Sequence, residues 1–539
     1  MKRTKLADRI LPTYSKGEEI FNMTSHIVGG ALGIVALVLC IIFSAIHGNS
    51  YAVVSSAIYG SCMILLYTMS SIYHGLSPVK HTKAKKVFQI LDHCSIFLLI
   101  AGSYTPFALC TIREYDTATG WWIFGVIWLV TALGITLNSI DIKKFIFRSI
   151  LILFSISFLL VLLDIFNHLK LPAYIKSRIE KSKIYEEHYV EPVAEKITGK
   201  GKNLILIYLE SMETTYASVA DGGNQTYENY IPHLTKIASE NISFSNTQKI
   251  GGSHAAFGTG WTMGALFSTS SGIPFNFPFN GNSLNLYDSV AKSVVTLGDV
   301  LEEKGYTNEF LCGSDGNFAG RKQFFEQNGD YNVFDLFTAR EKGYIPKDYC
   351  VWWGFEDSVL YKIAKDEITR LAKEKNPFNF TMLTVDTHHV GGYFCIKCKR
   401  KHSENLMDVL NCADIQLAEF IEWISCQEFF KDTVIVITGD HPRMDQFLVK
   451  DIPYYERTVY NCFINASTPE SFVKNEREFA AFDMFPTILC AMGFKIEGNR
   501  LGLGTNLFSS VKTLSEEMGF KEFNSEISKH SDFYEKHFY

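Results

Sequence analysis

The residues best placed to do chemistry stand where apolar runs stop. Asn203–Leu209 ends in Glu210, and Thr433–Thr438 runs through Gly439 into Asp440 and His441. Adjacent carboxylate and imidazole groups suit a borderline cation such as manganese or zinc. If both runs are buried parallel strands, these groups line the carboxyl edge of one sheet, where open α/β sheets bind ligands. About fifty residues after Glu210 comes Gly258-Thr259-Gly260, a glycine-flanked hydroxyl ahead of a helix-forming stretch, Trp261–Phe267. A threonine hydroxyl is a poor nucleophile at neutral pH unless a metal activates it. At a helix start it also meets the positive end of the dipole, as a bound phosphate does. Taken singly, Glu210 reads as a turn carboxylate and Thr259 as a helix cap. Three ligand types at the ends of separate strands outweigh that reading and imply metal-dependent work on phosphate esters.

The elements needed to position these groups follow in order. Strands are predicted over 203–209, 307–312, 378–385, 433–438 and 459–464. Helices are predicted over 231–240, 296–305, 355–374, 405–426 and 477–492. Strands alternating with amphipathic helices give a mostly parallel or mixed sheet covered on both faces. The charged segment 513–539 reads as a peripheral tail, and 167–200, polar with Pro172 and Pro192, as a stalk. No internal repeat or low-complexity tract is present.

The 539-residue chain is too long for one domain. Its first 170 residues are strongly apolar, with five segments near the roughly 20 residues a bilayer crossing needs: 27–46, 52–73, 88–110, 121–140 and 145–166. Lys and Arg cluster before the first span, between the second and third, and between the fourth and fifth, whereas the alternate loops hold only Arg113. The basic loops therefore lie inside, with a cytoplasmic N-terminus. Five spans then carry the remainder out of the cytoplasm. The net charge of −6 names no partner, and no nucleic-acid partner is expected. Of 12 cysteines, four sit in spans as small apolar residues. Cys395-Ile396-Lys397-Cys398 suits zinc or a redox pair, but outside the cell a disulfide is the plainer expectation, with Cys412 a partner for one of the two.

The motifs Asn203–Met212, Gly258–Pro274, Leu383–His389 and Gly439–His441 resemble those of the phosphoglycerol transferases and lipoteichoic acid synthases, in the sulfatase-like branch of the alkaline phosphatase superfamily. Tyr455–Thr458 and Gly502–Leu507 look like the phosphoglycerol transferase that decorates periplasmic glucans. The resemblance covers roughly 200–510. It implies an α/β alkaline phosphatase-like sandwich over 201–512 with one divalent metal, usually manganese (magnesium or zinc being the others), held by Glu210, Thr259, Asp440 and His441. Thr259 would be the covalent phosphoryl acceptor. Thr262 is its rival, and counting back from Gly272-Ile273-Pro274 favours Thr259. His388 matches a headgroup-contacting histidine and Arg321 a phosphate-gripping arginine. The synthases carry a tryptophan two residues before that arginine, where Ala319 stands here. The Cys/Ser-x-Pro-x-Arg pattern of true sulfatases is absent around Thr259, which speaks against sulfate ester hydrolysis. The implied enzyme moves glycerophosphate from phosphatidylglycerol to a glycan or teichoic-acid-type acceptor. Phosphoethanolamine transfer and water-driven phosphodiester cleavage are siblings on the same scaffold.

The all-α membrane part carries a second resemblance. Ser70–His74, Leu91–Ser95 and Ile100–Phe107 resemble the hemolysin III family, which is thought to bind zinc through such residues. Residues 1–144 read as a truncated four-span module of that family, followed by a fifth span over 145–166. Ser70, His74 and Asp92 would form a second metal site near the inner face. The late His-x-x-x-His span of that family is missing, so an anchor is the expected role, with a hemolysin III-type receptor or metal-dependent lipid hydrolase as the rival.

Overall fold

The computed structural model describes residues 5–47, 49–113, 117–140, 180–277, 284, 291–449 and 452–539. The chain divides into two units, Met1–Leu169 and Lys170–Tyr539.

The first unit contains α1 (Lys16–His47), α2 (Ser50–Gly75), α3 (Thr82–Pro106, continuing through a π-helical turn to Ile112) and α4 (Thr117–Ile140). All four are long and apolar enough to cross a membrane. On α1 and α4 large apolar side chains such as Leu32, Phe43, Trp122 and Leu129 point outward. The predicted fifth span, 145–166, lies outside the described residues. One ionic cluster ties three helices together. Glu19 on α1 takes His74 Nδ1 of α2 at 2.7 Å and Lys85 Nζ of α3 at 2.6 Å.

The second unit is built on six strands: β1 (Asn203–Leu209), β2 (Thr307–Cys312), β3 (Asn332–Phe334), β4 (Phe378–Leu383), β5 (Thr433–Gly439) and β6 (Asn461–Ile464). Their order is β3-β2-β4-β1-β5-β6, with β6 antiparallel at one edge and every other pair parallel. The apolar runs are continuous because both faces are covered. Leu204, Leu206 and Tyr208 enter one core, while Ile205, Ile207 and Leu209 enter the other. The principal covering helices are α5 (Pro232–Glu240), α6 (Thr262–Ser271), α7 (Asp357–Leu371), α8 (Asn405–Ser425) and α9 (Ala481–Met492). This is the mostly parallel mixed α/β architecture expected.

Two boundaries are corrected. The segment 513–539 is not peripheral: it folds into α10 (Leu514–Met518), α11 (Phe520–Ser528) and α12 (Asp532–Phe538). Leu514, Phe523, Ile527, Tyr534 and Phe538 are all buried in the sheet's larger core. The later part of the expected stalk is also domain. Ile184 and Tyr185 enter the same core, Tyr185 against Tyr534 at 5.1 Å between ring centroids, and Ile197 pairs with Ile496. The apolar spacing within these charged stretches outweighs their charge, because each helix needs only one buried stripe.

Candidate active site

The register of β1 and β5 sets the site. Leu209 lies opposite Gly439, so the next residues, Glu210 and Asp440, leave neighbouring strands at the same level, roughly 4.8 Å apart in the pairing direction. Ser211 then turns with φ of +52°. That turn aims its N–H at Asp440 Oδ1 (2.7 Å) and its hydroxyl at Glu210 Oε1 (2.7 Å). From β4's side, Thr384 Oγ1 accepts the Glu210 N–H at 3.0 Å, and the Thr387 hydroxyl donates to the Glu210 carbonyl at 2.5 Å. Glu210, Asp440 and His441 are buried, and one donor atom from each lies within 4.8 Å of the others.

Their electrostatics suit a cation. Burial pushes Asp440 up to about 7, with Glu210's charge adding to the rise. Burial also pushes at Glu210, but His441 and then His388 hold its carboxyl below the usual value. His441 is disfavoured as a cation by burial, yet Asp440 and Glu210 raise it overall. Asp440 Oδ2 is buried without a hydrogen-bond partner. His441 Nδ1 sits 2.9 Å from the Pro442 carbonyl, which places the proton there and leaves Nε2 free to ligate. Nε2 stands 3.4 Å from Asp440 Oδ2 and 3.8 Å from Glu210 Oε1. Two hard carboxylate donors, one imidazole and an orphaned buried oxygen fit a divalent metal.

Besides that of Ser211, the hydroxyl that reaches the cluster, and the one that lies against both Glu210 and His441, is that of Thr262 and not, as expected, that of Thr259. Thr262 Oγ1 lies 3.3 Å from Glu210 Oε2 and 3.5 Å from His441 Nε2. Thr259 instead turns its hydroxyl into its own loop, donating to the Ala256 carbonyl at 2.8 Å and accepting the Ala256 N–H at 3.1 Å. The physical reason is where the helix begins. Trp261 is the extended N-cap and Thr262 the first residue of α6, so the amide-rich helix start belongs to Thr262 and Thr259 lies three residues ahead of it. Gly258 makes the preceding turn possible, with φ of +78° and Phe275 N only 2.7 Å from where a Cβ would stand.

His388 is half-buried on the loop after β4. Its Nδ1 is 2.5 Å from the His389 carbonyl and its ring lies 4.8 Å from Trp353. Arg321, buried beyond the end of β2, gives Nη2 to Ser314 Oγ (2.9 Å) and to the Asp315 carbonyl (3.0 Å). Trp353 also packs on Phe318, three residues before Arg321, at 5.4 Å. An aromatic ring therefore reaches this region from another segment than the one where Ala319 departs from the synthase pattern. Nothing in the sequence near Arg321 marks it.

Sequence reasoning also missed the groups behind the cluster. Glu213 is buried with Arg443 and Arg457: its Oε1 accepts the Arg443 N–H at 3.1 Å and lies 3.5 Å from Arg457 Nη1. Arg443 Nη1 reaches the Thr387 carbonyl at 2.6 Å, tying the loop of His388 to that of His441. Two further buried carboxylates brace the same loop. Asp357 accepts the Val385 N–H at 2.8 Å and the Asp386 N–H at 3.2 Å. Burial raises Asp357 to about 7 and Asp386 to about 10.

In the membrane unit, Ser70 and His74 of α2 and Asp92 of α3 are the residues expected to hold a second metal. His74 is engaged by Glu19, Ser70 is buried, and the Asp92 carbonyl accepts the Ser95 hydroxyl at 2.6 Å. Among the described residues, no three His, Cys, Asp or Glu side chains of α1–α4 converge as the outer three do.

Residues 202–494 match the family model described as "Sulfatase", and residues 14–184 match "Haemolysin-III related". Phosphoglycerol transferase I of Salmonella choleraesuis is 31% identical over 337 residues, covering 61% of this chain and 42% of that protein. The Salmonella typhimurium enzyme of the same name is 30% identical over 338 residues, with the same coverage. The chain thus spans less than half the length of these curated relatives. Among solved structures, an alkaline phosphatase superfamily protein from Vibrio parahaemolyticus is similar with a TM-score of 0.46 and 22% identity, over 59% of this chain and 72% of that one. The lipoteichoic acid synthase LtaP from Listeria monocytogenes gives 0.42 and 20%, over 57% and 76%. With the matched segment exceeding half its length and the buried Glu210, Asp440 and His441 converging at the sheet's edge, this chain belongs to the sulfatase family and carries a haemolysin-III-related segment ahead of the family's domain.

Proposed function

We propose that this chain is a membrane-anchored transferase that moves a glycerophosphoryl group from phosphatidylglycerol to a glycan or polyglycerolphosphate acceptor outside the cytoplasm. The observation that carries the reading is the Thr262 hydroxyl, at a helix start and within 3.3 Å of Glu210 beside His441. The names of the Salmonella relatives support the headgroup, and the lack of a Cys/Ser-x-Pro-x-Arg motif argues against sulfate esters. The basic loops favour a cytoplasmic N-terminus with the catalytic unit on the opposite side.

Glu210, Asp440, His441 and Thr262 would hold one divalent metal, manganese by family resemblance. Bound there, such a metal lowers the pKa of an oxygen ligand and offsets charge on phosphate oxygens. In the first step Thr262 gives up its hydroxyl proton to solvent and its oxygen bonds phosphorus, while the phosphorus–oxygen bond to diacylglycerol breaks. His388 protonates the departing oxygen. The N–H groups opening α6 face the phosphoryl oxygens, and Arg321 offers its planar fork to the glycerophosphate. In the second step an acceptor hydroxyl loses its proton to His388 and bonds phosphorus, and the Thr262 oxygen leaves and is reprotonated.

The test supplies membranes holding the full chain with phosphatidylglycerol labelled in its headgroup, together with manganese. Diacylglycerol release with label appearing in a glycan or polymer is expected. Label released only as free glycerophosphate would make the protein a phosphodiesterase. Turnover of phosphatidylethanolamine in place of phosphatidylglycerol would replace the headgroup assignment.

A further inference from the structure

A second cluster of ligand-type side chains lies away from Glu210, Asp440 and His441. Cys395 and Cys398 sit on the loop between β4 and α8, and Cys412 on the second turn of α8. Cys395 and Cys412 are buried and Cys398 is half-buried. The expected disulfide is not formed: all three are free thiols, with Cys395 Sγ 3.7 Å from Cys398 Sγ and 3.8 Å from Cys412 Sγ. A disulfide needs about 2.05 Å. Zinc–thiolate bonds of about 2.3 Å at the tetrahedral angle set sulfur atoms about 3.8 Å apart. Two of the sulfur separations therefore match the edge of a metal tetrahedron, and all three sulfurs lie within 4.8 Å of one another.

An independent feature points into the same space. Gln416, buried one turn after Cys412, has its side-chain nitrogen 3.4 Å from Cys412 Sγ and 3.9 Å from Cys395 Sγ, while its Oε1 is buried without a partner. A half-turn of the amide, whose two ends have nearly the same shape, exchanges these atoms. The oxygen then lies 3.4 Å from Cys412 Sγ and 3.9 Å from Cys395 Sγ, on either side of the about 3.6 Å that a zinc–oxygen bond of about 2.1 Å sets between the fourth corner and a sulfur.

We propose that Cys395, Cys398 and Cys412, with Gln416 Oε1 at the fourth position, form a structural zinc site. Its place in the fold gives it work. Cys395 lies seven residues after His388 on the same loop, and the Tyr393 N–H closes that loop onto the Asp386 carbonyl at 2.7 Å. The ion staples the His388 loop to α8. The coordinated thiolates are also withheld from oxidation outside the cytoplasm, since thiol–disulfide exchange needs a free thiolate.

The experiment uses the full chain purified in detergent after growth with zinc and without reductant. A Glu210→Gln, Asp440→Asn background disables the other site. About one zinc ion per chain is expected to survive dialysis, with all twelve cysteines titrating as thiols after denaturation. A mercurial reagent should release that zinc to an indicator dye, and added cadmium should restore occupancy with a thiolate-to-metal charge-transfer band. Cys398→Ser and Cys412→Ser should lose both zinc and band. Because these variants can fail to fold, the unmodified protein supplies a second readout. Zinc removal by a mercurial should free the backbone around the exposed Lys397, Lys399, Arg400 and Lys401 and speed tryptic cleavage there, while α8 stays protected. Ten titratable thiols with no retained zinc, or zinc that survives all three thiols being blocked, would overturn the assignment.

Discussion

Deleting residues 513–539 should unfold the catalytic unit rather than trim it. Burying one large apolar side chain stabilises a fold by about 1.5–3 kcal/mol. The segment buries Leu514, Phe523, Ile527, Tyr534 and Phe538 almost completely. Allowing for residual burial in the unfolded chain, their joint contribution is roughly 5–13 kcal/mol, comparable to the roughly 5–15 kcal/mol of a whole domain. The segment also clamps both flanks of α6. Asn524 Oδ1 accepts the Phe257 N–H at 2.6 Å, just ahead of the Gly258 turn. Tyr534 Oη donates to the Pro274 carbonyl at 2.6 Å and accepts the Asn276 N–H at 3.2 Å, just beyond α6. A graded pair of variants separates the two effects. Tyr534→Phe should cost about 1–3 kcal/mol, because a buried carbonyl and N–H lose their partner. The 1–512 truncation should show no cooperative melt and no turnover. Denaturant unfolding of the detergent-solubilised chain, followed by tryptophan fluorescence, measures both. A truncation with a midpoint near that of the full chain would refute the packing argument.

Other expectations concern the site and its support. Thr262→Ala should lower turnover by at least about 10³-fold with the melting transition unchanged. Thr259→Ala should cost only about 1 kcal/mol of stability and leave turnover within a few-fold, and equal losses in the two variants would contradict the geometry. Glu213→Ala should destabilise by about 3–5 kcal/mol, since the buried Arg457 guanidinium would lose its carboxylate and the Arg443 backbone N–H its acceptor; a change in denaturant stability below about 1 kcal/mol would show the cluster to be inert. His402 is held above its usual pKa by the Glu228 hydrogen bond first and Asp408 second, despite some desolvation. A raised histidine pKa gives stability present in full below the unfolded value near 6.5, lost as pH rises through the folded value. His402→Gln should therefore melt earlier than the parent near about pH 5.5 and coincide with it near about pH 9; an equal deficit at both would sink the ionic account.

The strands could be read from sequence because burial on both faces writes an unbroken apolar run. β1 and β2 have the bounds expected, and β5 runs one residue further. β4 stops at Leu383, two residues early, because Asp357 captures the Val385 and Asp386 N–H groups, a long-range contact no local pattern reports. The expected 459–464 strand breaks at Tyr460, whose N–H goes to Met212 and whose carbonyl takes the Gly439 N–H. Glu210, Asp440 and His441 were readable because each ends such a run. The choice between Thr259 and Thr262 was not: they differ by one helical turn, and only the N-cap at Trp261 decides which hydroxyl meets the carboxylates. Trp353 and the Glu213–Arg443–Arg457 group come from chain-distant segments and carry no local signature. The C-terminal helices did carry one, in the spacing of Phe523 with Ile527 and of Tyr534 with Phe538, but surrounding charge outweighed it in the reading.

The central claim is that Thr262 takes the phosphoryl group. The most direct measurement mixes the full chain with phosphatidylglycerol and manganese, quenches in acid, and maps the modified peptide by fragmentation mass spectrometry. The account predicts a glycerophosphoryl adduct on Thr262, absent in Thr262→Ala and retained in Thr259→Ala. An adduct on Thr259, or steady diacylglycerol release from Thr262→Ala, would contradict it.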